Sequence, residues 1–137
     1  MIFTRAAVFA EISGTELMNR CWRQSSATAS SVQRRTGAAF GVEVFFSENQ
    51  VEFIGSPPTT YEYTSAEHGR WRRLDSCPRR GTPIAVTAER RPGQRGLNGG
   101  TFDDPAWFTI TRHIWVSSKL SWVAIPAAVP YRLLGST

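Results

Sequence analysis

Residues 39–54 read AFGVEVFFSENQVEFI, and this stretch decides the fold class. Val42, Val44, Phe45 and Phe46 on one side, and Val51, Phe53 and Ile54 on the other, are β-branched and aromatic types that suit a pleated, half-buried surface. The intervening SENQ is polar and turn-like, so the pair of runs predicts a β-hairpin. Working outward, further strands are predicted at 60–64, 69–74, 82–88, 113–117 and 122–125. Residues 55–58 and 91–100 are rich in Gly and Pro and are expected as loops. Asp103 or Asp104 ahead of Pro105 predicts a cap and first-turn proline for one short helical turn. The DDP motif is accordingly read as turn geometry rather than as a catalytic carboxylate pair. Gly37 is expected at a backbone turn with Thr36 bonding locally to it. Trp107, Phe108, Trp115 and Trp122 are expected as core aromatics.

Composition agrees with one mainly β domain spanning 1–137, because 137 residues are enough for one core and 41% are hydrophobic, with five Trp and eight Phe to fill it. The longest apolar runs fall far short of a membrane span. The first ten residues hold an early Arg but neither an extended apolar region nor a small-residue cleavage site, so no signal peptide is read and a cytoplasmic location is expected by default. No membrane partner is expected.

The net charge of +5 is carried by fifteen Arg and a single Lys, Lys119. That ratio points to a GC-rich gene, since most Arg codons begin with CG, more than to a partner. Basic clusters stand at Arg34 and Arg35, at Arg70, Arg72 and Arg73 around Trp71, and at Arg79, Arg80, Arg90 and Arg91. Interleaved Arg and Trp have the chemistry to contact phosphates and stack on bases. Without a recognisable nucleic-acid module, solvated strand faces and loop charges are the stronger reading, and nucleic acid is not an expected partner.

Metal chemistry is equally sparse. Zinc takes about four ligands from Cys, His and carboxylates, and the chain offers Cys21, Cys77, His68 and His113, with no pair at ligand spacing. A lone Cys or His is read as a small buried hydrophobe or a satisfied ring. Two cysteines make no disulfide framework.

Three blocks carry a family resemblance: QRRTGAAF at 33–40, GGTFDDPAWF at 99–108 and RHIWVSSKLSWV at 112–123. In this order and at this separation they resemble the glutathione-dependent formaldehyde-activating family, which also includes centromere protein V, over nearly the whole chain. The resemblance implies a single small domain with the Mss4-like (β-tent) fold and two zinc ions. In the family the run before QRRTG reads CHCxxC, whose three cysteines hold a catalytic zinc; those three positions here are Ala27, Ala29 and Val32. A structural zinc is held by an early CxCG and a later CxxCG. The segment AAVFAEISG from Ala6 resembles the family's sequence just after the early pair, which places that pair on Phe3 and Arg5. The later pair falls on CPRRGTPI, where Cys77 keeps its place and Arg80 takes the remaining one. Gly37 and Phe40 are implied to border the substrate cleft.

The genetic code offers an account of the missing ligands. Codons built from the last base of one residue's codon and the first two of the next, starting at Met18, yield EPLLAxVxCHCQQC, with Ser26 into Ala27, Thr28 into Ala29, and Ser31 into Val32 each giving cysteine. Dropping one leftover base returns the frame to Gln33, so the shifted peptide reads straight into QRRTGAAF. A weaker echo at Arg5 to Phe9 gives CGxVR. Arg80 is one base from a cysteine codon. Compensated frameshifts, either in the gene itself or introduced when it was read, are therefore expected.

In the intact family three thiolates leave one open zinc position, where glutathione binds as thiolate and attacks formaldehyde to give S-hydroxymethylglutathione, the chemistry of a carbon-sulfur lyase. This chain as written is expected to be catalytically dead and to carry no cofactor. The alternative is a metal-free binding or structural paralogue that still holds glutathione or another small thiol. The oligomeric state is left open.

Overall fold

The computed structural model of the chain describes residues 5–8, 23–27, 30–66 and 69–134, and the side chains of residues 31–66, 69–106 and 108–134. Among these residues the chain is mainly β. Its strands are β1 (Arg5–Val8), β2 (Arg23–Ala27), β3 (Gly41–Ser47), β4 (Val51–Ile54), β5 (Thr59–Thr64), β6 (Trp71–Ser76), β7 (Pro83–Ala88), β8 (Gln94–Asn98) and β9 (Arg112–Ile114), with the helix α1 (Ser30–Thr36) between β2 and β3. Seven strands make one sheet in the order β5-β6-β7-β8-β3-β2-β9, and β1 and β4 make a second. All pairings are antiparallel apart from β2 with β9.

Both runs of the 39–54 stretch are strands, but they do not form the hairpin that the sequence predicts. Both edges of β3 are already occupied, by β2 on one side and β8 on the other. A 3-10 turn at Glu48–Gln50, where the Gln50 side chain accepts the Ser47 N–H at 3.2 Å, redirects the chain. β4 then pairs with β1, from Arg5↔Ile54 to Val8↔Val51. The two runs face each other across the core instead of sharing a ladder. Val44 and Phe46 of β3 join Val51 of β4 in one buried cluster with Cys77, Ile84, Ala85 and Leu97, flanked by Phe53, Phe102 and Phe108.

The unbroken apolar run Val44, Phe45 and Phe46 reflects burial on both faces of a central strand. Phe45 points away from the main cluster and lies beneath Arg91, whose guanidinium carbon stands 4.6 Å from the ring centroid. On the core side Arg95 does the same for Phe53 at 5.0 Å, while pairing with Glu48 at 2.9 Å. One buried carboxylate, Asp75, accepts a hydrogen bond from the Thr60 hydroxyl at 2.8 Å.

Predicted strands 60–64, 69–74 and 82–88 correspond to β5, β6 and β7. Residues 91–100 correct the loop prediction, since they contain β8. Its sequence QRGLN has little intrinsic strand preference, and it is held by ladders to β3 and β7 on either side. The predicted strand 113–117 ends at Ile114, because Trp115 adopts a left-handed backbone with φ 59° and a 3-10 turn follows at Val116–Ser118. Residues 122–125 form no strand, and Trp122 is 73% exposed, so it is not a core aromatic. The single helical turn is present at Pro105–Trp107, where the Asp104 carboxylate accepts the Ala106 N–H at 3.0 Å. Phe108 packs onto Gly99 so closely that a Cβ there would lie 2.6 Å from its ring. The side chain of Trp107 lies outside the described residues.

Candidate functional site

The corner that the resemblance assigns to the catalytic metal is built where β2 ends, α1 begins and β9 runs alongside. Ala27 is the last residue of β2 and stands opposite Ile114 of β9 in parallel register. Ala29 lies outside the described residues. Val32, on the first turn of α1, is 3% exposed and packs against Ile114 and Trp115.

Several contacts hold α1 in this corner. Gly41 opens β3 directly under the helix, and a Cβ on it would meet the Val32 Cγ1 at 2.8 Å, so only glycine permits this approach. Arg35 forms a largely buried ion pair with Glu43 of β3. The Gln33 side-chain amide donates to the Ser118 carbonyl at 2.9 Å. At the far end Gly37 takes φ 67° and its N–H returns to the Gln33 carbonyl at 2.8 Å, an αL helix stop. Thr36 does bond locally, but to the Val32 carbonyl at 2.7 Å and from the Ala38 N–H at 3.2 Å, not to Gly37.

Gly37 and Phe40 lie together on the link between α1 and β3, both exposed, Phe40 to 41%. An open surface depression elsewhere is lined by Ser47, Glu48, Asn49 and Gly93, at the opposite end of β3.

The second assigned corner is the β6–β7 turn. Cys77 is buried; its N–H bonds the Thr82 carbonyl at 2.9 Å, and its carbonyl accepts the Gly81 N–H at 2.8 Å. Arg80 is on the outside of that turn and exposed. The backbone of Arg5 opens β1, which lies against β7, while Phe3 is outside the described residues. The topology therefore brings the early segment toward the strand that follows the Cys77 turn.

The side chains at these positions do not fit a zinc ion. A valine has no lone pair to offer, an arginine stays cationic, and one thiol does not make a tetrahedral set. Among the described residues no three His, Cys, Asp or Glu side chains gather at metal-binding distance. His113 sits in β9, and burial holds its imidazole below the usual histidine range. Cys21 and His68 are outside the described residues. Among the described residues no helix is long and apolar enough to cross a membrane.

Sequence reading missed α1, because its segment SSVQRRT carries one apolar residue and no amphipathic period. It also missed β1 and β2. The one local signal available for α1 was the Thr36-Gly37 stop.

Residues 14–118 match the family of the glutathione-dependent formaldehyde-activating enzyme. No curated protein matches the chain. Among solved structures, the crystal structure of a Rhodobacter sphaeroides protein is similar with a TM-score of 0.48 and 12% sequence identity, over 93% of this chain and 89% of that one.

Proposed function

This chain belongs to the glutathione-dependent formaldehyde-activating enzyme family, and we propose that it is a member without the zinc chemistry, a catalytically silent relative of carbon-sulfur lyases. The observation that supports this reading most is Val32. At a position where the family resemblance calls for a thiolate, its side chain is buried, 3% exposed, and packed on Ile114 and Trp115. Hydrocarbon in that corner neither holds a metal nor lowers the pKa of an incoming thiol, and thiolate is the form that attacks formaldehyde. Family fold alone does not supply the reaction.

The origin we propose is a compensated frameshift across codons 17 to 33, since the shifted frame restores CHCQQC in place. Sequencing that stretch of the gene tests the origin separately from the activity. An ordinary tract without the shifted motif removes this explanation.

For activity, the purified chain is dialysed, analysed for zinc, and mixed with glutathione and formaldehyde. The expected result is no stoichiometric zinc and no rate above the spontaneous addition. One or more zinc atoms per chain, or an enzymatic rate, overturns the proposal.

A second reading, a metal-free binding or structural paralogue in the cytoplasm, is favoured by the contacts that protein groups make to hold α1, the Val32–Gly41 approach and the Arg35–Glu43 pair. In that reading Gly37 and Phe40 border the place where a small thiol such as glutathione would rest. Isothermal titration with glutathione distinguishes the two, because only the paralogue retains measurable binding.

A further inference from the structure

Among the described residues β5 is the end strand of the seven-stranded sheet and has one ladder, to β6, running from Thr59↔Ser76 to Thr64↔Trp71. Apart from Tyr63 every residue along it is exposed. An open edge offers a row of unpaired N–H and C=O groups, and folded proteins ordinarily guard such edges with Lys, Pro, bulges or charge. The strand TTYEYT has only Glu62 for this purpose. That charge is already answered by Arg73 at 3.2 Å on the neighbouring strand.

The order of residues along this edge adds a second observation. Thr60-Tyr61-Glu62-Tyr63-Thr64 reads identically in both directions. An antiparallel copy centred on Glu62 sets Tyr61 opposite Tyr63 and Thr60 opposite Thr64, each twice. A slip of one residue would set Glu62 against Tyr63 and turn the copy's faces over. The tyrosines are also prearranged: the Tyr61 and Tyr63 rings stack with centroids 5.7 Å apart and planes 22° apart, and Tyr61 is 63% exposed. Pairing would extend this stack into a strip of four rings on one face, and aromatic and threonine pairs across strands are favourable. The two Glu62 carboxylates would stand opposite each other, a repulsive pair, but each is neutralised by the Arg73 guanidinium of its own sheet at 3.2 Å.

We propose that this chain associates with a second copy of itself, β5 against β5, antiparallel about a two-fold axis through Glu62. The interface is isologous, so each copy presents the same strand. The two sheets become one continuous sheet with no open β5 edge.

Sedimentation equilibrium over a concentration series tests it, with a mass rising to twice that of the chain as the expected result. Glu62→Lys places four cations in a row and should leave a monomer. The exposed pair it breaks contributes little to folding, so an unchanged circular dichroism spectrum is expected. Glu62→Lys combined with Arg73→Glu should restore the dimer. Register is tested by cysteine cross-linking. Residues on the axis face each other at a Cα separation of about 4.5 to 5.5 Å, inside the disulfide range of about 4.4 to 6.8 Å. Glu62→Cys should therefore cross-link to itself on oxidation. Thr60→Cys should not, but should cross-link when mixed with Thr64→Cys. A monomer at every concentration, a dimer that survives Glu62→Lys, or self-cross-linking of Thr60→Cys would overturn the proposal. So would a monomeric chain that captures an extended tyrosine-rich peptide on this edge.

Discussion

At the scale of single residues, the corner around α1 is organised by the contact of Val32 with Gly41. The helix lies so close to β3 that the smallest added side chain has no room, since its Cβ would stand 2.8 Å from a valine methyl. Gly41→Ala is therefore expected to lower stability by about 1 to 3 kcal/mol, the usual range for forcing one methyl group into a packed site. Val32→Ala alone removes buried methyls and should also destabilise. Together the two changes should cost less than their sum, because the truncated valine vacates the space that the new methyl needs. A double-mutant cycle by urea unfolding measures this coupling. Additive effects would show that the helix relaxes away from the strand. The same contact explains a residue choice in the QRRTGAAFG segment that looks like a loop glycine in the sequence.

Among the elements, β9 and the segment after it behave as one unit. His113 gives its N–H to the Pro130 carbonyl at 2.9 Å, and its own carbonyl accepts from Arg132 at 2.9 Å. Trp115, Val116 and Ser117 continue the contact to residues 132–134. Burial depresses the His113 pKa below its ordinary value of 6.5. The folded state therefore prefers the neutral ring, and the unfolded chain binds the proton more readily. Its contribution is fully present above about pH 6.5 and is lost as pH falls toward the folded value. The thermal midpoint should decline on acidification through that window. His113→Gln should flatten the decline, and an unchanged slope in the variant would show that other groups carry it. Backbone hydrogen-exchange protection at residues 113–117, taken relative to the intrinsic exchange rate at each pH, should fall over the same range, which places the effect on this unit.

At the scale of the whole molecule, the proposed absence of zinc bears on stability. Structural zinc contributes roughly 10 to 16 kcal/mol of apparent binding energy in small zinc domains. A chain without it depends on the Val44, Phe46, Leu97 cluster and its flanking phenylalanines. Its melting temperature should be indifferent to EDTA, and a sharp fall on adding chelator contradicts the proposal. Repair is the complementary experiment. Replacing residues 19–32 with the shifted peptide, together with Phe3→Cys, Arg5→Cys and Arg80→Cys, should rebuild both ligand sets. The repaired chain should bind about two zinc ions, one per site type, and should gain chelator-sensitive stability. A folded repaired chain without zinc would show that the ligand positions were assigned wrongly.

The sequence by itself determined the family, through three blocks that survive intact, and the mainly β class, through runs such as GVEVFF and PIAVTA whose residue types suit strands. It also determined a capped turn at Pro105, because capping is local chemistry, while the structure chose Asp104 over Asp103 as the cap. Strand partners were decided only by the tertiary structure. A polar link between two apolar runs is compatible with a hairpin, and β4 left β3 because both ladders of β3 were already filled. β8 shows the converse, a weak strand former held in extended form by neighbours on each side. The candidate corner divides in the same way. Residue types alone showed that Ala27, Ala29 and Val32 are not ligands, since no fold gives a methyl group a lone pair. That Val32 is instead a packing residue, seated against a left-handed Trp115 from a distant part of the chain, depended on three-dimensional proximity. Local patterns record what a segment prefers, whereas edges and close approaches are filled by competition among all segments at once.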